Sequence, residues 1–352
     1  MNIKIIGSGS YIPSEIVTNL DFAKHEFLND DGSNFAYSNE VIASKFKDIT
    51  GIEERRYVGN DLLTSDIAFF AAEKAIANAQ IDPETLDYII FAHNFGDVKS
   101  AAIQTDVLPS LSTRVKHRLH IKNPKCVAYD ILFGCPGWIE GMIQAYAFIK
   151  AGIAKRCLII GAETLSRVVD RHDRDSMIYS DGAGATIIEA TDAEGGFLGH
   201  ASATHAFEEA YYLFFGNSFN KTHDPDVRYI KMQGRKIYEF ALKNVPLAMK
   251  ECLEKSGVEI DQISKILIHQ ANEKMDEAIL ERFYKLFGKK VPSNIMPMSI
   301  HKLGNSSVAT VPTLYDLLIH HQIPGHELKT NDIILMASVG AGMNINAIAY
   351  QI

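Results

Sequence analysis

Several things are scarce in this sequence, and each scarcity removes a class of protein. Cysteine occurs four times, at Cys126, Cys135, Cys157 and Cys252, and never as C-x-x-C. Such irregular spacing argues against a disulfide framework and against a zinc site, and it fits a reducing compartment. No apolar run reaches the roughly 20 residues of a membrane-spanning helix, and no early apolar stretch ends in a cleavage site. A cytoplasmic protein with no membrane association is therefore expected. Positive charge is outnumbered, with 35 Lys and Arg against 43 Asp and Glu and a net charge of −8. That balance argues against nucleic acid as a partner, although it leaves room for a local basic patch. Metal-ligand spacing is missing too. His320 and His321 are adjacent and would face opposite ways on a helix, so no metal site is expected.

What is present is an ordinary globular composition, 47% hydrophobic and 22% charged, over 352 residues. That length is generous for one core and suits two domains or a duplicated one. The most informative stretch is Val127 to Glu163, VAYDILFGCPGWIEGMIQAYAFIKAGIAKRCLIIGAE. It reads as a strand, a sharp turn carrying Cys135, a buried helix and a second strand. Pro136 suits the first helical position, so the helix is expected to begin directly after the sulfur. Trp138, Met142, Tyr146 and Ile149 recur at helical spacing and predict a helix packed on most of its circumference. The positive N-terminal end of such a helix would lower the thiol pKa. Cys126, Cys157 and Cys252 sit in apolar runs and read as small core hydrophobes. For Cys135 the local sequence supports nucleophile and structural thiol alike.

Along the rest of the chain, Met1 to Pro13 predicts a strand. Its Gly7-Ser8-Gly9 fails as a dinucleotide fingerprint, because Pro13 stands where the helix should start and the third glycine is missing. Asp66 to Gln80 predicts an alanine-rich helix and Asp87 to His93 a strand. A basic helix with Arg114, Lys116, His117 and Arg118 follows. The Arg/Asp alternation of SRVVDRHDRD suggests a solvated surface or a polyanion clamp, and Asp181 to Ala185 a small-residue turn. A helix is expected over Gly234 to Ser256, and strands over Lys265 to His269 and Ile333 to Ala337.

An internal repeat is visible in this order. The segment ending at His93, IDPETLDYIIFAH, is matched half a chain later by IDQISKILIH ending at His269. The turn at Cys135 is likewise answered by the turn at Asn305. Two copies of one α/β unit, residues 1–196 and 197–352, would bring both special turns toward a shared centre. Cys135, His269 and Asn305 would then lie near one another.

At these residues the chain resembles the β-ketoacyl-acyl carrier protein synthase III family of the thiolase superfamily. The likeness runs through ITGIEERR, DILFGCPGW, GAETLSRVVDRHDRD, YSDGAGA, KMQGRKIYEFA, LIHQANEKM, HKLGNSSVATVP and SVGAGMN, covering nearly the whole chain. The resemblance implies an α/β thiolase-like fold, with two five-stranded βαβαβαββ halves in an α-β-α-β-α layered core, and a homodimer. It implies catalytic roles for Cys135, His269 and Asn305, and an oxyanion hole from the backbone N–H of Cys135 and of Ala341, where the family usually has glycine. An acyl group would pass from a thioester to Cys135 and be condensed with a decarboxylated malonyl thioester in fatty acid biosynthesis. Implied partners are acyl carrier protein, acyl-coenzyme A and a malonyl thioester, with no bound cofactor.

Departures from the family pattern bear on the donor. Lys45 and Ile49 stand where a tryptophan and an arginine help to sandwich the adenine of coenzyme A, while the partner arginine is kept as Arg174. Arg235 replaces a common asparagine. Asn94 to Leu108 is longer than usual and should shape the acyl tunnel across the dimer interface. Lys274, Asn272, Arg235 and Arg174 are expected to contact substrate or carrier. Two alternatives stand beside this reading: a condensing enzyme of specialised metabolism, of alkylresorcinol or quinolone type, and a silent acyl-binding subunit.

Overall fold

Runs such as YIIFA and RCLIIGAET are apolar on both faces, which marks strands covered by helices on both sides. The computed structural model describes residues 1–352 and buries both runs along nearly their full length. In chain order the first sheet contains β1 (Asn2–Tyr11), β2 (Tyr88–Ala92), β3 (Val127–Ile131), β4 (Arg156–Thr164) and β5 (Asp181–Thr191). Its spatial order is β1-β5-β4-β2-β3, with β2 parallel to β3 and β4, and β5 antiparallel to β1 and β4. The second sheet contains β6 (Gly196–Thr204), β7 (Ile263–Ile268), β8 (Ile333–Gly340) and β9 (Asn344–Gln351), in the order β6-β9-β8-β7. Here β7 and β8 are parallel, and β9 is antiparallel to both its neighbours. The second sheet thus repeats the first strand for strand, except that nothing answers β3. The expected fifth strand is replaced by the segment around Ile295, whose carbonyl accepts the Ile266 N–H at 2.8 Å. Pro292 and Pro297 flank it, and proline cannot donate to a ladder.

Eight α-helices complete the chain: α1 (Asn39–Thr50), α2 (Thr64–Ala79), α3 (Leu111–Arg118), α4 (Gly137–Lys150), α5 (Gly234–Ser256), α6 (Glu273–Lys285), α7 (Ile300–Leu303) and α8 (Thr310–Ile319). Trp138 and Met142 of α4 share one core with Leu314 and Leu318 of α8, Ile90 of β2 and Met336 of β8. Those two helices form the middle layer. The alanines of α2, with α3, cover the outer face of the first sheet, and α5 and α6 cover that of the second. The layers therefore run α-β-α-β-α. Gly7 and Gly9 serve this packing, since a β-carbon at either would lie 2.5 Å from the backbone of Ala75 on α2. No helix is long and apolar enough to cross a membrane.

Two further expectations change. Asp181 to Ala185 is the start of β5 and pairs with the end of β4, Ala183 to Ala185 also pairing with β1, and Gly184 admits α8 against the sheet. The Arg/Asp loop is not wholly a solvated surface. Lys231 is buried between Asp170 and Asp173, at 2.6 and 2.9 Å, with Phe219 beneath its ammonium group. Against the cost of burial, Lys231 and the Phe219 N–H hold Asp170 below the usual carboxylate range. Arg55 of the EERR run is also fully buried, binding the Met177 carbonyl through Nε and Nη2. Removing one partner of a buried pair strands the other charge, at a cost of about 3–5 kcal/mol. Lys231→Ala is expected to lose stability on that scale in urea unfolding; a loss below about 1 kcal/mol would show that the cluster is well hydrated.

Candidate active site

Strand β3 and helix α4 leave only a tight connection between them, and Cys135 sits in it. The turn closes through the Gly137 N–H to the Gly134 carbonyl at 3.0 Å. Pro136 takes the N-cap position and Gly137 begins α4, one residue later than expected. Cys135 is half-buried, with its open side on an apolar cavity of about 200 Å³ that Ala341 also lines. Gly340, the last residue of β8, lies against the nucleophile turn so closely that a β-carbon there would fall 2.4 Å from Cys135 N. A β-carbon on Gly134 would likewise fall 2.6 Å from Ala341 N. The backbones carrying the two expected oxyanion donors are therefore adjacent.

The second sheet supplies the remaining groups. Asn305 follows α7, its backbone clamped by the Ile178 carbonyl and the Ser180 N–H at 3.0 and 2.8 Å. Its Oδ1 accepts the Ser307 N–H at 2.8 Å, which leaves Nδ2 as the free donor end of the amide. The Ser307 hydroxyl donates to Cys135 Sγ at 3.3 Å. His269, at the end of β7, is held by its N–H to the Ala337 carbonyl at 2.9 Å, three residues before Gly340. Its ring is buried and Nδ1 has no partner. Cys135, His269 and Asn305 make no hydrogen bond to one another; Ser307 is the link between Cys135 and Asn305.

Burial dominates the electrostatics. It pushes the Cys135 thiol up to about 11, against the Ser307 hydrogen bond and reinforced by the nearby Glu163. The expected lowering by the α4 dipole does not prevail, because a helix end contributes about 0.3–1 kcal/mol, less than one pKa unit. The thiol is protonated at rest. Burial also lowers His269 to about 4, so its imidazole is neutral at pH 7. Cys126, Cys157 and Cys252 are fully enclosed and pushed up to about 11, 12 and 12, as core thiols should be.

Comparison with known proteins gives this geometry a family. The description 3-oxoacyl-[acyl-carrier-protein (ACP)] synthase III matches residues 129–206, and its C-terminal counterpart matches residues 253–352. A β-ketoacyl-[acyl-carrier-protein] synthase III of Aquifex aeolicus is 32% identical over 349 residues, 99% of each chain. The chain belongs to the β-ketoacyl-[acyl-carrier-protein] synthase III family. A relative from Caldanaerobacter subterraneus is 33% identical over 345 residues, 96% of this chain and 94% of that one. The crystal structure of the Aquifex aeolicus 3-oxoacyl-[acyl-carrier-protein] synthase III superposes with a TM-score of 0.80 at 30% identity, covering 99% of this chain and all of that one.

None of the positions expected to contact substrate or carrier lines the cavity at Cys135. Arg174 is more than half exposed, and its guanidinium rests over the Phe35 ring at 5.1 Å. Lys45 lies over Tyr37 at 3.7 Å, while Ile49 is exposed. Asn272 caps α6, its Oδ1 accepting the Met275 N–H at 3.0 Å, and Lys274 is exposed on the first turn of that helix. Arg235, 91% exposed, pairs with Glu239 on the next turn of α5. His320 is held by Asp316 and does not pair with His321.

Sequence reading missed three residues of the site: Ser307, Asn94 and Glu163. Ser307 lay inside a recognised motif, HKLGNSSVATVP, but a serine in a turn carries no signal of what it touches. Strand-end histidines were paired by the repeat, yet their surroundings differ. His93 is satisfied by Asp130 at 3.0 Å and by the Gly96 N–H at 3.1 Å, whereas the His269 ring is left unpaired. That difference has a measurable consequence. Unfolded chains bind a proton at imidazole near pH 6.5 while the native ring resists until about pH 4, so this contribution is intact above pH 6.5 and drains away as pH falls toward 4. His269→Asn is expected to narrow the acid-induced stability loss by about 2–3 kcal/mol between pH 7 and 4.5, measured by urea unfolding at each pH. Parallel curves for both proteins would mean that the native ring titrates normally.

Proposed function

We propose that this synthase III transfers an acyl group from a thioester to Cys135 and then condenses it with a malonyl thioester by decarboxylation, as a step of fatty acid biosynthesis. The observation that carries the reading is the meeting of a thiol, two adjacent backbones at Cys135 and Ala341, and an apolar cavity. In acylation, the Cys135 sulfur bonds to the acyl carbon and the donor C–S bond breaks. The departing thiolate takes up the proton that Cys135 loses. The N–H groups of Cys135 and Ala341 would hold the tetrahedral oxyanion.

In condensation, malonyl loses carbon dioxide and its C–C bonding pair becomes an enolate. His269 is neutral, and with Nδ1 buried its Nε2–H tautomer would present a donor to the enolate oxygen. Asn305 Nδ2 would be the second donor, because Ser307 already occupies Oδ1. The enolate carbon attacks the acyl carbonyl, and Cys135 leaves. Retention of Cys135 together with His269 and Asn305 speaks against a silent subunit. No bound cofactor enters this chemistry. The halves 1–196 and 197–352 would then divide the work, the first holding the acyl group and the second the enolate.

The cavity beside Cys135, about 200 Å³ with nine of its 12 lining residues hydrophobic, suits a short acyl chain. Phe215 lines both this cavity and a neighbouring one of about 720 Å³, so a longer chain passing between them would meet that ring. Ile103, Val107 and Leu108 stand exposed on the long segment after β2, a surface suited to the partner subunit of a homodimer. A cytoplasmic location follows from the pathway assigned.

Two experiments separate the steps. Intact mass after incubation with short acyl-coenzyme A donors should show an adduct that Cys135→Ala abolishes. Asn305→Ala should keep the adduct and lose condensation and malonyl decarboxylation by at least about 100-fold. Normal condensation by that variant would remove Asn305 from the chemistry.

Carrier docking is read from charge. Acyl carrier protein is acidic, so an enzyme of net charge −8 needs a local cationic face. Lys274 on α6, with Arg235 and Lys236 at the start of α5, would supply it, and Asn272 would hold the α6 terminus in place. Arg174 over Phe35 would serve the coenzyme A donor instead. Lys274→Glu should lower kcat/KM for carrier-bound substrate about tenfold more than for coenzyme A-bound substrate, with the gap shrinking as salt rises. Equal losses at all salt concentrations would sink the docking role.

A further inference from the structure

The condensing chemistry leaves a buried group beside the nucleophile unused. Glu163, near the end of β4, is fully buried. Its Oε1 accepts two bonds from Asn94, from the backbone N–H and from Nδ2, each at 2.7 Å, while Oε2 is buried without a partner. Asn94 Oδ1 accepts the Gly134 N–H at 3.0 Å, so the amide cannot turn over without losing a bond at each end. The Asn94 Nδ2 group also meets Ser307 Oγ at 3.4 Å. With that contact on its oxygen, the Ser307 hydroxyl turns its own proton to Cys135 Sγ, 3.3 Å away. Ser307 holds a left-handed backbone, φ 53°, which is strained for a non-glycine residue and persists where the surroundings enforce it. The chain thus runs Glu163, Asn94, Ser307, Cys135, with Asn94 also held by the Gly134 N–H and Ser307 by its own N–H to Asn305 Oδ1.

We propose that Glu163 and Asn94 are positioning residues that aim the Ser307 hydroxyl at the Cys135 sulfur, and that this donor stabilises the thiolate on which acylation depends. Such a donor answers the problem posed by burial. A thiol that sits above its usual range needs a hydrogen bond delivered to its charged form, and a bond to a charged group is among the stronger kinds. During acylation Ser307 shares its proton with the sulfur and keeps it; the proton lost by Cys135 leaves with the donor thiol.

The charge of Glu163 works against the thiolate. Burial raises its carboxyl to about 7, with His93 drawing it down and Asp181 pushing it up. His93 is itself tied to Asp130, and Asp181 holds Ser166 and the Val58 N–H. Protonation at Oε2 leaves both Asn94 bonds at Oε1 intact. The positioning chain therefore survives on either side of pH 7, and only the neighbouring negative charge changes.

This inference rests on Cys135 being the acylated nucleophile, and the test keeps the two apart. The rate of iodoacetamide labelling at Cys135 would be followed from pH 5.5 to 9.5 by peptide mass spectrometry, alongside acyl adduct formation by intact mass. Ser307→Ala should label about tenfold or more slowly wherever the thiolate is the minor form. Glu163→Gln, which keeps the acceptor and removes the charge, should label faster than the wild type above pH 7 and equally below pH 6. Glu163→Ala should fall toward Ser307→Ala, with Glu163→Gln restoring the rate. Wild-type pH profiles for Ser307→Ala and Glu163→Ala, with the Cys135 adduct still formed, would overturn the positioning chain and leave the nucleophile standing. Should Ser307→Ala not fold, wild-type labelling by Glu163→Ala, which removes both bonds to Asn94, overturns it alone. Absence of any acyl adduct at wild-type Cys135 would overturn both.

Discussion

The hydrogen bond from Ser307 to Cys135 joins the two sheets' contributions at the point where chemistry is possible. Cys135 sits in the turn that leaves a strand of the first sheet, and Ser307 follows α7 on the way to α8, which packs between the sheets. For that bond to form, α4 and α8 must lie side by side in one middle layer, and the end of β8 must reach the cysteine turn. The shared core of Trp138, Met142, Leu314 and Leu318 accomplishes the first. Gly340 accomplishes the second, since any side chain there would collide with Cys135 itself.

A buried site assembled this way is ruled by desolvation rather than by charge. Cys135 is pushed up and His269 down, and Glu163 is raised to the edge of neutrality. Each group is displaced toward its uncharged form. Such a site suits a reaction whose charge is transient, an oxyanion and then an enolate, because fixed donors act strongly where water is excluded. Resting charges would compete with the developing one. The charged side chains Lys274 and Arg235 are instead at exposed helix starts, where water and salt screen them.

Duplication supplies the framework, and local partners decide what each copy does with it. His93 and His269 occupy corresponding strand ends, yet Asp130 and the Gly96 N–H satisfy one ring while the other keeps an unpaired nitrogen. The missing counterpart of β3 is part of the same divergence. In place of a fifth strand, the segment around Ile295 leads to Pro297, whose carbonyl accepts from Gln270, and Gln270 Oε1 accepts the Ser299 and Ile300 N–H groups at the start of α7. The residue after His269 thereby helps to place Asn305.

The sequence alone determined the alternation of strands and helices, the repeat, and the residues of the strand-end turns, because apolar periodicity and glycine-bearing turns are local features that the chain carries regardless of its fold. It marked Cys135 as unlike the other three cysteines for the same reason. Only the tertiary structure decided the state of that thiol, since a dipole can be read from a helix but desolvation depends on everything packed around it. The same holds for Lys231 with Asp170 and Asp173, which look like surface charges in sequence and meet only when the loop folds over Phe219. Ser307, Asn94 and Glu163 come from three distant segments, and no spacing relates them. Their hydrogen bonds exist because two sheets bring those segments to one point, a fact of packing that no single stretch of the chain contains.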